Sequence, residues 1–199
     1  YLALILGSTG SDIYPRLCAA TADKTAVKRL VNEHLYIVMV IGAPIIIAML
    51  ILPDFTLSIL YTSKFSAAKA ILIWQVIGSF FKLLSSPIAS ILLAKNKGIL
   101  YFISEFIFYL VYLVISYLTV PHMGIAGVGV GYMAAYIIYW IAIVIMCNRI
   151  SGFVWQQNVM AMMLVYTILI GATAYAAICF EGTKLIVYSI LFLIICALY

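Results

Sequence analysis

The sequence predicts an all-α protein, a polytopic bundle of membrane-spanning helices. Apolar residues make up 67% of its 199 residues and charged ones only 9%. No Asp, Glu, Lys or Arg occurs between Glu105 and Arg149, or between Arg149 and Glu181. A soluble domain needs a charged surface that such stretches cannot supply. The apolar runs are also continuous, whereas the strands of a membrane barrel alternate apolar and polar positions over about ten residues.

A helix needs roughly 20 apolar residues to cross a bilayer, and each run can be read against that length. Residues 1–20 form an incomplete helix. Complete spans are expected at about 35–52, 71–94, 99–120, 125–147, 159–180 and 185–199. The chain starts and stops inside apolar runs and lacks the basic leader of a signal peptide. Residues 1–199 are therefore expected to be one membrane domain, a fragment of a longer polytopic protein.

The connections carry the orientation signal. Lys24, Lys28, Arg29, Lys95, Lys97 and Arg149 fall in alternate loops, against Lys64, Lys69 and Lys184 in the others. Lys and Arg accumulate in cytoplasmic loops, so the first set is expected there. This topology, rather than nucleic-acid binding, accounts for the net charge of +5. Residues 21–34 read as a short surface helix opened by Thr21. Residues 53–65 are apolar enough to lie on the outer face.

The third run, residues 71–94, breaks the rule that lipid-facing positions are apolar. Gln75, Ser79, Lys82, Ser86 and Ser90 recur at spacings of four, three, four and four, which is the helical period and places them on one face. Pro87 removes a backbone donor beside them, and Pro44 does the same in the second run. Lys82 is about eleven residues from either end, so it sits roughly 16 Å deep at 1.5 Å per residue. A lysine there costs about 3 kcal/mol or more, which requires a hydrated cavity or a carboxylate partner. Glu105 on the next helix is the partner candidate, expected in the same cavity but at a depth differing by roughly 9 Å. It belongs to a stripe of Tyr101, Glu105, Tyr109 (or Phe108), Tyr112 and Ser116, and the following helix repeats the idea with Tyr132, Tyr136 and Tyr139. A tyrosine joins an apolar ring to a polar tip, suited to sugar faces as well as to packing.

The remaining features read as structural. The run from Gly124 to Gly131 contains Gly127-x-x-x-Gly131, a pattern for close helix approach. Cys18, Cys147, Cys179 and Cys196 lack metal-ligand or redox spacing. His34 and His122 read as surface histidines at opposite membrane edges. No cofactor or metal is expected.

Several segments together resemble a known family. Tyr14-Pro15-Arg16-Leu17 precedes a basic connector and the Pro44 helix. Ile59-Leu60-Tyr61-Thr62-Ser63-Lys64-Phe65-Ser66-Ala67-Ala68 follows, then Leu93-Ala94-Lys95-Asn96-Lys97, then Gly124-Ile125-Ala126-Gly127. In that order they resemble the C-terminal portion of polysaccharide or O-antigen flippases (Wzx-type) of the MOP (MATE-like) superfamily. The resemblance implies the C-terminal lobe of a two-lobe transporter in the bacterial inner membrane. It implies alternating access that moves a polyprenyl-diphosphate-linked oligosaccharide between leaflets, among membrane lipids and other polysaccharide assembly proteins. The implied cationic site falls on Lys82 and Arg16. Gln75, Ser79, Ser86 and Glu105 would share that cavity, and Tyr101, Tyr109 and Tyr112 would line the sugar path.

Two other functions compete. An ion-coupled drug or metabolite antiporter of the same superfamily would favour deep acidic residues, and Glu105 stands alone in that role. An O-antigen polymerase or glycosyltransferase would need catalytic residues in a sizeable loop. The longest outer loop, residues 53–70, has only Asp54, Lys64 and Lys69 as charged groups, and no nucleophile–base pair is visible. The protein is therefore not expected to be an enzyme.

Overall fold

The computed structural model describes residues 2–60 and 68–179. They form seven helices: α1 (Leu2–Ala19), α2 (Lys24–Ile51), α3 (Pro53–Leu60), α4 (Ala68–Ala94), α5 (Gly98–Met123), α6 (Ala126–Ser151) and α7 (Gln157–Cys179). No strand occurs among the described residues. α2 and α4 to α7 are each long and apolar enough to cross a membrane. The expected span at 185–199 lies outside the described residues, as do Lys64 and Lys184.

α4 is the hub, packing against α1, α2, α3, α5, α6 and α7. Its buried side chains Phe80, Leu83, Leu84, Ile88, Ile91 and Leu92 meet the α2 face formed by Leu35, Met39, Ala43, Ile46, Ile47 and Leu50. Water expulsion cannot hold helices together inside a bilayer, so close packing and interhelical hydrogen bonds must do it. The glycine run of α6 supplies the close packing by serving two neighbours. A Cβ on Gly127 would lie 2.7 Å from the backbone of Thr119 and Val120 on α5. One on Gly129 would lie 2.8 Å from the Ile71 carbonyl oxygen on α4. Thr119 adds a hydrogen bond from its hydroxyl to the Gly127 carbonyl (2.8 Å). α6 is thereby wedged between α4 and α5, an arrangement that positions the site below.

One end of the bundle gathers the basic residues. The Lys95 ammonium donates to the Thr21 carbonyl (3.2 Å), bringing the α4–α5 turn onto the α1–α2 turn. The α6–α7 connection joins them through Asn32, which is fully buried. Asn32 donates to the carbonyls of Lys28 (2.8 Å) and Val154 (3.2 Å) and accepts from the Gln156 amide (2.9 Å). Lys24, Lys28, Arg29, Lys95, Lys97 and Arg149 thus share this end.

The structure corrects two local expectations here. Residues 21–34 are not a separate surface helix. α2 runs unbroken from Lys24 to Ile51, and its cap is Asp23, whose carboxylate accepts from the amides of Thr25 (2.8 Å) and Ala26 (3.3 Å). A continuous helix keeps its backbone bonds through the membrane edge. His34 is buried rather than superficial, because one face of this extended helix packs inward. The apolar connection after α2 contains the short helix α3, which packs on α2 and α4.

Candidate functional site

α4 places its stripe on a face that is neither core nor fully open. Gln75, Ser79, Lys82, Ser86 and Ser90 are all half-buried, while Phe80, Leu83, Leu84 and Ser85 between them are buried. Two hydroxyls are bonded within the helix: Ser79 donates to the Gln75 carbonyl (2.8 Å) and Ser90 to the Pro87 carbonyl (2.6 Å). Such local bonds satisfy a hydroxyl without removing it from reach of a ligand. Pro87 does not interrupt α4.

Lys82 is twelve residues from the α4 C-terminus, about 18 Å along the axis. Among the described residues it forms no ion pair. Its ammonium instead lies 5.8 Å from the ring centre of Tyr136 on α6. The ring quadrupole attracts a cation by about 0.5–2 kcal/mol, depending on desolvation. That is less than the cost of placing an ammonium at this depth, so Lys82 remains able to take an anion.

Glu105 is seven residues into α5, about 10 Å from the same end. Its carboxylate accepts from the Tyr139 hydroxyl on α6 (2.5 Å). Because Tyr136 and Tyr139 lie three residues apart, α6 presents a π-face to the lysine and, about one turn nearer the basic end, a hydroxyl to the carboxylate. Lys82 and Glu105 share one face at different heights and do not pair directly.

Between them runs a set of aromatic contacts centred on Phe108, which is buried. Its ring centre is 4.3 Å from Tyr136, 5.5 Å from Tyr139 and 5.1 Å from Tyr109. Tyr132 stands 4.7 Å from Tyr136 and 6.0 Å from Tyr112, and its ring rests on Gly78 of α4. The inward α5 position is therefore Phe108, and Tyr109 is largely exposed beside it. Tyr101 is half-buried one turn before Glu105.

The structure thus groups Gln75, Ser79, Lys82, Glu105, Tyr101, Tyr109 and Tyr112 around the α4–α6–α5 face. Ser86 is one turn further toward the basic end. Arg16 stands apart: it is exposed, one turn from the end of α1. Lys95 ties that end to the C-terminus of α4, leaving Arg16 and Lys82 roughly 12 Å apart in depth. Tyr136 and Tyr139 are the site residues that sequence reading undervalued. Their spacing from Tyr132, four then three, was the available signal, but a packing face has the same period. No group of three metal-ligating side chains occurs among the described residues.

The chain is 27% identical over 140 residues to the lipid III flippase of Escherichia coli (strain K12), and equally to that of Shigella flexneri. The chain is similar to flippases. The aligned region covers 70% of this chain and 33% of each relative, so the chain spans about a third of their length. No family model matches. No solved structure matches either. Together, the five long apolar helices and this similarity describe a multi-pass membrane protein that is similar to flippases over part of their length.

Proposed function

We propose that this chain is the C-terminal lobe of a MOP-superfamily flippase. In this reading it moves a polyprenyl-diphosphate-linked oligosaccharide across the bacterial inner membrane by alternating access, with its basic end toward the cytoplasm. The observation that carries the reading is Lys82, an ammonium at mid-membrane on a half-buried polar face, met by an aromatic ring instead of a carboxylate. A diphosphate offers that ammonium charge-assisted bonds stronger than a ring contact. Gln75, Ser79 and Ser86 would bond oxygens beside it, while Tyr101, Tyr109 and Tyr112 would follow the sugars. Arg16, nearer the membrane edge, would meet the phosphates on entry. The similarity to lipid III flippases supports a lipid-linked substrate.

One observation favours a second reading, an ion-coupled antiporter. Glu105 is an acidic group in a membrane-spanning helix, held by Tyr139, and such groups exchange protons in transporters. An organic-cation substrate would, however, be repelled by Lys82 on the same face.

The test replaces Lys82 by Ala, Arg and Glu in the full-length protein, in cells lacking the native gene, with surface polysaccharide and protein level both measured. A charge-assisted hydrogen bond of about 1.5–3 kcal/mol corresponds to export falling roughly ten- to a hundredfold for Ala, more for Glu, and less for Arg, at normal abundance. Normal export by all three variants would reject the cationic site.

A further inference from the structure

The contact between Lys82 and Tyr136 is built by the register of two parallel helices. α4 and α6 both run toward the basic end, and they meet closely at Gly78. A Cβ there would lie 2.7 Å from the Tyr132 ring and 2.9 Å from the Met133 Cα. Four residues further along each helix, about one turn, the same alignment brings Lys82 to Tyr136, with the ammonium 5.8 Å from the ring centre.

The two partners differ in freedom. Tyr136 is buried, and its ring is enclosed by those of Phe108 (4.3 Å), Tyr132 (4.7 Å) and Tyr139 (6.2 Å). Lys82 is half-buried, and its ammonium rides on a flexible four-carbon stem. The ring is therefore fixed, and the ammonium is the part that moves. An aromatic ring carries negative charge on its face, so it attracts the ammonium and repels an anion brought to the same place. A diphosphate and the Tyr136 ring thus compete for Lys82.

We infer that Tyr136 is the resting ligand of Lys82: it holds the ammonium when no headgroup is present and weakens diphosphate binding enough for release. This role rests on the proposed flippase function. A bare ammonium at mid-membrane is costly, so a site offering Lys82 nothing else would bind the headgroup tightly and release it slowly. A carboxylate partner would err the other way, since a diphosphate would have to displace a full negative charge. Glu105 does not take that part, because Tyr139 engages its carboxylate. The ring lies between these extremes. An attraction of the size usual for such contacts corresponds to a roughly two- to thirtyfold weakening of anion binding.

The experiment measures the affinity of the full-length protein for farnesyl diphosphate by calorimetry in detergent, with farnesol as the uncharged control. The variants are Tyr136→Phe and the same change bearing one, two and three ring fluorines, each with Lys82 intact and with Lys82→Ala. Fluorine draws charge off the ring face while leaving the ring's shape nearly unchanged, so packing against Phe108 and Tyr132 is retained. The expected result is that Tyr136→Phe binds as wild type does and that Kd falls with each fluorine, by roughly two- to thirtyfold in all. That trend should vanish in the Lys82→Ala background. A Kd that stays flat or rises with fluorination, while Lys82→Ala weakens binding, would overturn the resting-ligand role and leave the diphosphate reading intact. A fall in Kd that persists without Lys82 would overturn it equally. Undiminished binding by Lys82→Ala alone would bring down both.

Discussion

Asn32 offers the sharpest stability prediction. It clamps the first turns of α2 to the α6–α7 connection with its whole side-chain amide, donating to Lys28 and Val154 and accepting from Gln156. Asn32→Leu keeps the volume but strands two backbone groups. The Gln156 amide loses its partner outright. The Val154 carbonyl loses a 3.2 Å bond and retains a second lone pair, so its loss is smaller. The Lys28 carbonyl still has the helix. Val154 and Gln156 are exposed, so water takes up part of the loss; against about 1–3 kcal/mol for a fully buried unsatisfied group, the expected destabilisation is roughly 1–2 kcal/mol. Asn32→Asp retains the acceptor for Gln156 but sets a buried carboxylate against the Lys28 and Val154 carbonyls, so at pH 7 it should cost at least as much while keeping the Gln156 amide protected. Hydrogen exchange of the Gln156 amide, with thermal unfolding followed by tryptophan fluorescence, would read both effects, since Trp155 is next in the chain and 6.3 Å from Trp140. Unchanged Gln156 protection and a stability within about 0.5 kcal/mol of wild type would refute the clamp.

Two further predictions concern packing and pH. Gly127→Ala drives a methyl group into the α5 backbone 2.7 Å away and should cost about 1–3 kcal/mol as an overpacking change. Gly10→Ala, with nothing within 4 Å, should be neutral or slightly stabilising in the same denaturation assay. The Asp23 carboxyl is held below its usual value by the Thr25 hydroxyl and then by the amides of Thr25 and Ala26. A depressed folded-state value means the cap stabilises α2 above the unfolded aspartate value of about 3.9 and loses that effect as pH falls through the lower folded value. The thermal midpoint of Asp23→Ala should therefore lie below wild type at pH 7, and the two should converge as pH falls below about 4.

Much of the architecture was legible in the residues because the bilayer leaves few choices. A continuous apolar run in lipid must be helical to satisfy its backbone, so α2 and α4 to α7 follow from hydropathy. The polar stripe was legible for the same reason: five polar residues at helical spacing stand out against an apolar background. The run from Gly127 to Gly131 announced close approach, though not that it served α4 and α5 at once. Less was legible where context decides. Residues 21–34 are polar enough for a surface helix, yet they continue into the membrane because Asp23 caps α2 and Asn32 finds partners 122 and 124 residues away.

By itself, then, the sequence determined that this chain crosses a membrane as helices, which end gathers the positive charge, and that one helix carries a lysine near its middle. Only tertiary structure decided what that lysine faces. Hydropathy and periodicity assign each residue to a face of its own helix, but they do not say which neighbour covers that face. The wedging of α6 between α4 and α5 set Tyr136 under Lys82 and Tyr139 on Glu105.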